Sequence, residues 1–252
     1  MVKPYPAIAL SITVLASAAA ATGGSIIRSF ESPCNDCTDG IDYRGGYVYH
    51  ANFNGPCEVL KTTTAGSLVA SLKDPPYAVG IDFTGVVYWA YTFWPSVPRD
   101  RIYRLNEAGS IAASFAAPSH GYGVTYDGEY LWYSTAGSHY WNYVYELTTT
   151  GSVVSSFQAP YGKGYLNKDI DWGGGYLWLA QSSSAGGLIY QMTTTGSVVY
   201  SIFLQGRQPT GVAWDGKHVW FADGGNDWVY QMRWSGVDVA PASVGRVKAL
   251  FR

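Results

Sequence analysis

Short alternating runs of apolar and polar residues, each closed by a Gly-Ser or Asp-Gly signal, recur along this chain from Gly24 to Gly236. Such alternation with frequent turns predicts short half-buried strands joined by hairpins. Four segments make the pattern plain: KTTTAGSLVASL from Lys61, LNEAGSIAASF from Leu105, LTTTGSVVSSF from Leu147 and MTTTGSVVYSI from Met192. The turn glycines Gly24, Gly66, Gly109, Gly151, Gly196 and Gly236 fall 42, 43, 42, 45 and 40 residues apart. Between them the same order returns. A Gly-led strand (VGIDFTG, YGVTYDG, KDIDWGG, TGVAWDG) precedes an aromatic strand (VVYWA, YLWYS, YLWLA, HVWFA), and a third strand carries IYRL, VYEL, IYQM or VYQM. Four strands in such a period make one blade of a propeller, with a solenoid as the other arrangement the repeat allows. The chain ends decide for the ring. The repeats open on a lone fourth strand, Ser25 to Phe30, and stop after a third strand at Trp234, so pairing the two leaves no sheet edge unmatched. The predicted fold is all-β: a five-bladed β-propeller of four-stranded blades over residues 22–236, with the N-terminal strand completing the last blade.

Composition agrees, with 30 Gly, 21 Tyr and 10 Trp beside only 13% charged residues, a balance of turns and aromatic strands. A net charge of -2 supplies no broad basic surface, so nucleic acid is not an expected partner. At the start, Lys3 precedes an apolar stretch from Ala7 to Ala21 that ends in small residues, which reads as a signal peptide over residues 1–21. It is shorter than a membrane span, and no lipid-accepting Cys follows it. The mature protein is therefore expected to be secreted, periplasmic or at the cell surface, with no membrane span. In an oxidising compartment Cys34, Cys37 and Cys57 are expected to give one disulfide that includes Cys57, because Cys34 and Cys37 lack the second ligand pair of a zinc site. The tail, 237–252, lies outside the repeats and carries Arg246, Lys248 and Arg252, as a surface-packed end or a short docking segment.

The repeats also separate core from site. Tyr49, Tyr88, Trp132, Trp178 and Trp220 share one register of the second strands; Tyr103, Tyr145, Tyr190 and Tyr230, with Leu60 replacing them once, share one of the third. Repeated aromatics belong to the packing between sheets. Positions that differ between repeats, at the face where first strands begin and second strands end, are where an asymmetric ligand would be read. Those are Asn52, Tyr91, Thr135, Gln181 and Asp223, with the aromatic loop residues Trp94, Tyr140, Trp141 and Trp228 beyond them. Exposed Trp beside polar groups suits sugar stacking and protein hot spots, so a glycan, peptide or protein partner is expected. Asp42, Asp82 and Asp171 occupy one register of the first strands. They either hold a calcium ion through oxygen ligands or accept N–H groups of the adjoining blade, and no other cofactor is expected. For catalysis no triad or metal spacing is legible; His120, near Tyr122, is the general-base candidate, and Asp169 is a second catalytic candidate.

QPTGVAWDGKHVWFADGGNDWVYQM, Gln208 to Met232, resembles the repeat of NHL-type and streptogramin-lyase-like propellers, and weaker versions span all five repeats. The resemblance implies the fold; lyase chemistry is not carried over, since no matching His- and Glu-bearing pattern is present. GYGVTYDGEYLWYSTAG, Gly121 to Gly137, and Leu166-Asn167 resemble segments of glutamine cyclotransferases, five-bladed propellers that cyclise N-terminal glutamine, although that family's Phe-Thr-Gln-Gly-Leu and Glu-Ser-Thr-Gly segments are absent. The sequence thus predicts a non-catalytic binding propeller, with an enzyme of cyclotransferase or lyase kind as the alternative.

Overall fold

The computed structural model describes residues 24–33, 38–52, 58–73, 78–83, 87–91, 100–106, 110–136, 142–160 and 164–234. The predicted signal peptide, the three cysteines and the C-terminal tail lie outside them.

Every element among the described residues is a β-strand, and the strands form a β-propeller of four-stranded antiparallel sheets. Sheet I holds β2 (Thr38–Arg44), β3 (Tyr47–Asn52), β4 (Glu58–Thr63) and β5 (Leu68–Lys73). Sheet II holds β6 (Ala78–Phe83), β7 (Val87–Tyr91), β8 (Arg101–Leu105) and β9 (Ile111–Ala116). Sheet III holds β10 (Gly121–Tyr126), β11 (Leu131–Thr135), β12 (Tyr143–Leu147) and β13 (Val153–Gln158). Sheet IV holds β14 (Leu166–Gly173), β15 (Tyr176–Ser183), β16 (Gly186–Met192) and β17 (Val198–Gln205). Sheet V holds β18 (Pro209–Trp214), β19 (His218–Asp223) and β20 (Trp228–Arg233), and its fourth strand is β1 (Ile26–Glu31), with Ser29 opposite Tyr230 and Phe30 opposite Val229. The first strands contact one another in the cyclic order β2, β6, β10, β14, β18, β2.

Turn chemistry explains the hairpins. In LTTTGS and MTTTGS, Thr148 and Thr193 accept the N–H of Ser152 and Ser197, at 3.0 and 3.1 Å, while Gly151 and Gly196 take φ of 93° and 86°. A side chain is strained in that region, hence the invariant glycine of the repeat. These glycines also leave room for the neighbouring sheet: a Cβ on Gly151 would meet the Phe115 ring, and one on Gly196 the Phe157 ring. In the other hairpins Asp127 and Asp215 each accept two backbone N–H groups on Oδ1 and a Trp indole N–H on Oδ2. They tie the turn to the core residues Trp132 and Trp220.

Packing between sheets follows one rule. A second-strand aromatic of one sheet meets the first-strand aromatic of the next: Tyr49 stacks on Phe83 at 4.1 Å, Trp178 on Trp214 at 4.6 Å and Trp220 on Tyr43 at 5.9 Å. Each large aromatic buried this way contributes about 4 to 6 kcal/mol of gross hydrophobic free energy. Nearer the axis the sheets approach more closely. A Cβ on Gly40, Gly80, Gly123 or Gly211 would come within 2.3 to 2.5 Å of the next first strand's backbone. At the same register sheet IV carries Asp169, opposite Ala180 as Gly80 is opposite Ala90.

Candidate functional site

The first strands line the central channel, and their side chains form layers along it. The end where these strands begin is the upper mouth, and the end where they finish is the lower mouth. Two residues on from the glycine register stand Asp42, Asp82, Thr125, Asp171 and Ala213. Asp42 accepts the N–H of Phe83 at 2.7 Å, Asp82 that of Tyr126, Thr125 that of Trp172 at 2.9 Å and Asp171 that of Trp214 at 2.6 Å. Each side chain thus staples its sheet to the next. Ala213 cannot, so the step from sheet V to sheet I lacks a staple of this kind.

Asp169 repairs that step. Its Oδ2 reaches across the axis to accept the N–H groups of Val212, in sheet V, at 3.0 Å and Ile41, in sheet I, at 3.2 Å. The residue that breaks the glycine register compensates for the one that breaks the acidic register. Burial pushes these carboxyls up: Asp42 to about 6, Asp82 to about 8 with the charge of Asp42 adding to it, and Asp169 and Asp171 well above the usual carboxylate range. Of the two readings for Asp42, Asp82 and Asp171, the N–H acceptor role is the one the hydrogen bonds display. Among the described residues no three His, Cys, Asp or Glu side chains converge as ligands of a metal ion do.

The upper mouth is different. Three positions before the staple register stand Asp39, Val79, Tyr122, Lys168 and Thr210, no two alike. Lys168 Nζ lies 4.7 Å from the centroid of the Tyr122 ring, and His120 meets that ring edge-on at 5.5 Å. His120 Nδ1 is in turn 3.3 Å from Asp100 Oδ1. Asp39 is pushed up to about 6 by burial, against the pull of Lys168 and with Asp227 adding to the rise. Burial lowers Lys168, and Asp39 opposes that shift. The mouth therefore gathers Asp39 from sheet I, Asp100 from II, His120 and Tyr122 from III, Lys168 from IV and Asp227 from V.

Two of these residues sit in unusual backbone. Asp100 and Asp227 have φ of 51° and 59°, the two non-glycine residues in the left-handed region among those described. Each directly precedes a third strand, and each carbonyl accepts an N–H from just beyond the fourth: Ala117 to Asp100 at 2.7 Å and Ser32 to Asp227 at 2.8 Å. Asp tolerates this conformation at a modest cost, and the cost turns both carboxylates toward one rim.

The other predicted positions fall as follows. Thr135, Gln181 and Asp223 lie at the upper end of their strands but are buried. Thr135 accepts the N–H of Tyr143, and Gln181 donates to the carbonyl of Pro160 and to Asn167 Oδ1. Asp223 accepts from Gln208 and Gly225 and pairs with Arg207 at 3.5 Å. Their variety reflects different loops to be tied down, because each loop has its own backbone groups to satisfy. Trp228 is 36% exposed and stacks on Tyr230 at the rim. Asn52 and Tyr91 reach the upper end by strand register, opposite Thr38 and Ala78. Trp94, Tyr140 and Trp141 lie outside the described residues. The sequence reading missed Asp39, Lys168, Asp100 and Asp227. The first two were accessible by its own criterion, since their register differs in every repeat; the last two depend on loop conformation.

No family model matches this chain, and no curated protein matches it in sequence. Solved structures do share its fold. Glutaminyl cyclase of Myxococcus xanthus superposes with a TM-score of 0.68 at 14% identity, covering 85% of this chain and 97% of that one. The PQQ-bound aldose sugar dehydrogenase of Streptomyces coelicolor gives 0.52 at 12% identity, covering 83% and 97%. A catalytically inactive virginiamycin B lyase from Staphylococcus aureus, with quinupristin, gives 0.47 at 19% identity, covering 79% and 67%. At these identities the likeness is one of fold alone: the chain is similar to β-propellers of several activities.

Proposed function

We propose that the five sheets are the blades of a closed ring, and that its upper mouth binds a charged peptide, with Lys168 and Asp39 reading opposite charges. One observation carries this: a single channel register holds five different side chains while the registers below it repeat. Repetition is what packing requires, and a ring built for strength alone has no use for a half-buried cation beside a half-buried carboxylate. A neutral sugar would desolvate Lys168 and Asp39 and bring neither a new opposite charge, whereas a peptide brings N–H donors, carbonyls and charges of both signs. Trp228, stacked at the rim, adds an apolar surface for a side chain. The apolar stretch at residues 1–21, read as a signal peptide, supports an encounter outside the cytoplasm, and glycan binding is the competing outcome. Peptide and glycan arrays test the reading: charged peptides should be retained by the wild type and lost by Lys168→Met. Retention of glycans only, or equal peptide retention by the variant, would refute it.

A second reading is favoured by the His120–Asp100 contact. An imidazole oriented through Nδ1 by a carboxylate is the arrangement of a general base, and Lys168 beside it would steady a developing negative charge. The superposition of 85% of this chain on a glutaminyl cyclase supports testing pyroglutamate formation from a glutaminyl peptide. Turnover abolished by His120→Ala would place catalysis first, and no turnover by the wild type would remove it.

A further inference from the structure

At the lower mouth, a cavity of about 180 Å³ lies between the first strands, floored by Asp42, Asp82 and Asp171 and walled by Trp172, Trp214 and Arg44. The hydrogen-bond ledger of these carboxylates is incomplete. Asp82 is 4% exposed and lines the cavity, yet among the described residues both bonds it receives, from Thr125 and Tyr126, fall on Oδ2 and none on Oδ1. One layer deeper, Asp169 is fully buried with its Oδ1 unpartnered, on the same face of β14 as Asp171 because the two are separated by one residue. Three carboxyls therefore line the cavity, and a fourth lies one layer behind them with its Oδ1 unpartnered. The cation beside them, Arg44, is exposed and donates to the carbonyl of Phe83.

We propose that the lower mouth is a binding site for a small organic cation, a primary ammonium or guanidinium group entering between Trp172 and Trp214 to meet Asp82, Asp42 and Asp171. Three features select this class. First, among the described residues the carboxylates form no cluster of metal-ligand geometry, whereas an ammonium carries its own N–H donors outward and bridges a wider spacing. Second, indole walls favour a positive charge that can sit against a ring face. Third, the site already tolerates a guanidinium at its edge in Arg44, whose charge lowers the proton affinity of Asp42 and Asp82. The ionisable groups that face the cavity or its floor are Asp42, Tyr43 and Arg44 of β2, Asp82 of β6, Tyr126 of β10 and Asp169 and Asp171 of β14; at that register β18 contributes Ala213. A cation must displace protons from the carboxyls, so its binding strengthens as pH rises.

Ethylammonium chloride is the probe, with sodium chloride at matched ionic strength, tetramethylammonium chloride and calcium chloride as comparisons. On the full chain, ethylammonium should raise the melting temperature and the others should not. The apparent affinity should strengthen about tenfold between about pH 6 and pH 8.5 as the carboxyls ionise. Asp82→Asn copies the shape of the protonated acid and should fold. It should lose at least about tenfold in affinity, while Arg44→Ala, with a competing cation removed, should bind more tightly. An ethylammonium shift no larger than that of sodium overturns the proposal, as does an undiminished shift in Asp82→Asn. A larger response to calcium overturns it in favour of a metal site.

Discussion

The two mouths of the channel are built from the same five strands, three residues apart, and obey opposite rules. At the lower register four of five side chains do one job, accepting the N–H of the next sheet, and the fifth is covered by Asp169 from across the axis. At the upper register every side chain differs, and a carboxylate, a phenol and an ammonium meet half-buried. The difference teaches how to divide a repeat protein: a residue that recurs from sheet to sheet holds the sheets together, and a residue that departs from the pattern is either a repair or a site. Asp169 shows that the distinction needs coordinates, because in sequence it stands out as strongly as Lys168 does.

That division can be broken first at Asp169. Asp169→Ala leaves two buried N–H groups, of Val212 and Ile41, without an acceptor at the unstapled step between sheets V and I, and should cost about 2 to 5 kcal/mol in urea unfolding. Asp169→Asn, which keeps an acceptor oxygen, should cost less. A variant with Ala at 169 as stable as the wild type would mean that the step from sheet V to sheet I needs no bridge. Next in size is Thr125→Val, nearly isosteric, which strands the N–H of Trp172 and removes the hydroxyl donor to Asp82; a loss of about 1 to 2 kcal/mol is expected by the same measurement.

The lower register also sets a pH dependence with a definite sign. Asp42 and Asp82 hold their protons in the fold to about 6 and about 8, and release them near the ordinary value when unfolded. The native state therefore binds more protons across that window, so stability falls as pH rises through it. Melting temperature should be higher at about pH 6.5 than at about pH 8.5, and Asp82→Asn should flatten the slope. The comparison stops near pH 6.5 because His50 then acts in the other direction. Burial holds its imidazole down to about 3, so it stays neutral in the fold and takes a proton only when unfolded. Its Nε2 is bonded to Thr62 at 2.7 Å, and its Nδ1 has no partner. A melting temperature that climbs steadily with pH between 6.5 and 8.5 would show that the buried carboxyls are already ionised.

Much of this fold was legible in the sequence because a repeat states its chemistry several times. The Thr-Thr-Thr-Gly-Ser turns, the Asp-Gly hairpins and the aromatic registers are local rules, and each copy confirms the reading of the others. The pairing of Phe30 with Val229 was legible because the two ends of the repeat were complementary. The site was not, for two reasons. Polar residues at the ends of second strands, such as Gln181 and Asp223, look like ligand readers until the loops they tie down are placed, and the backbone groups to be satisfied belong to segments distant in sequence. Conversely, Asp100 and Asp227 reach the mouth only through left-handed backbone that no local pattern announces. Lys168 fell between these cases. It lies beside Asp169 and Asn167 in LNKDIDW, and only the register of the other first strands shows that it stands where Asp39 and Tyr122 also stand.

Lys168 is accordingly where the smallest effect on stability should accompany the largest effect on binding. Its ammonium is half-buried over Tyr122 and near Asp39, and burial already disfavours its charge. Replacing it with Met keeps the stem against Tyr122 and removes the desolvated charge. Asp39, already inclined to hold a proton, can take one where it loses its partner. Those terms offset, so Lys168→Met should unfold within about 0.5 kcal/mol of the wild type. The same substitution should abolish retention of charged peptides, because nothing else in the register supplies a positive pole. Lys168→Arg discriminates further: it restores charge with a flat, longer head, and recovery of stability without recovery of binding would show that the mouth reads the shape of an ammonium as well as its sign. A loss of several kcal/mol in Lys168→Met, comparable with Asp169→Ala, would instead move Lys168 to the structural side of the division and leave the upper mouth as a second set of staples.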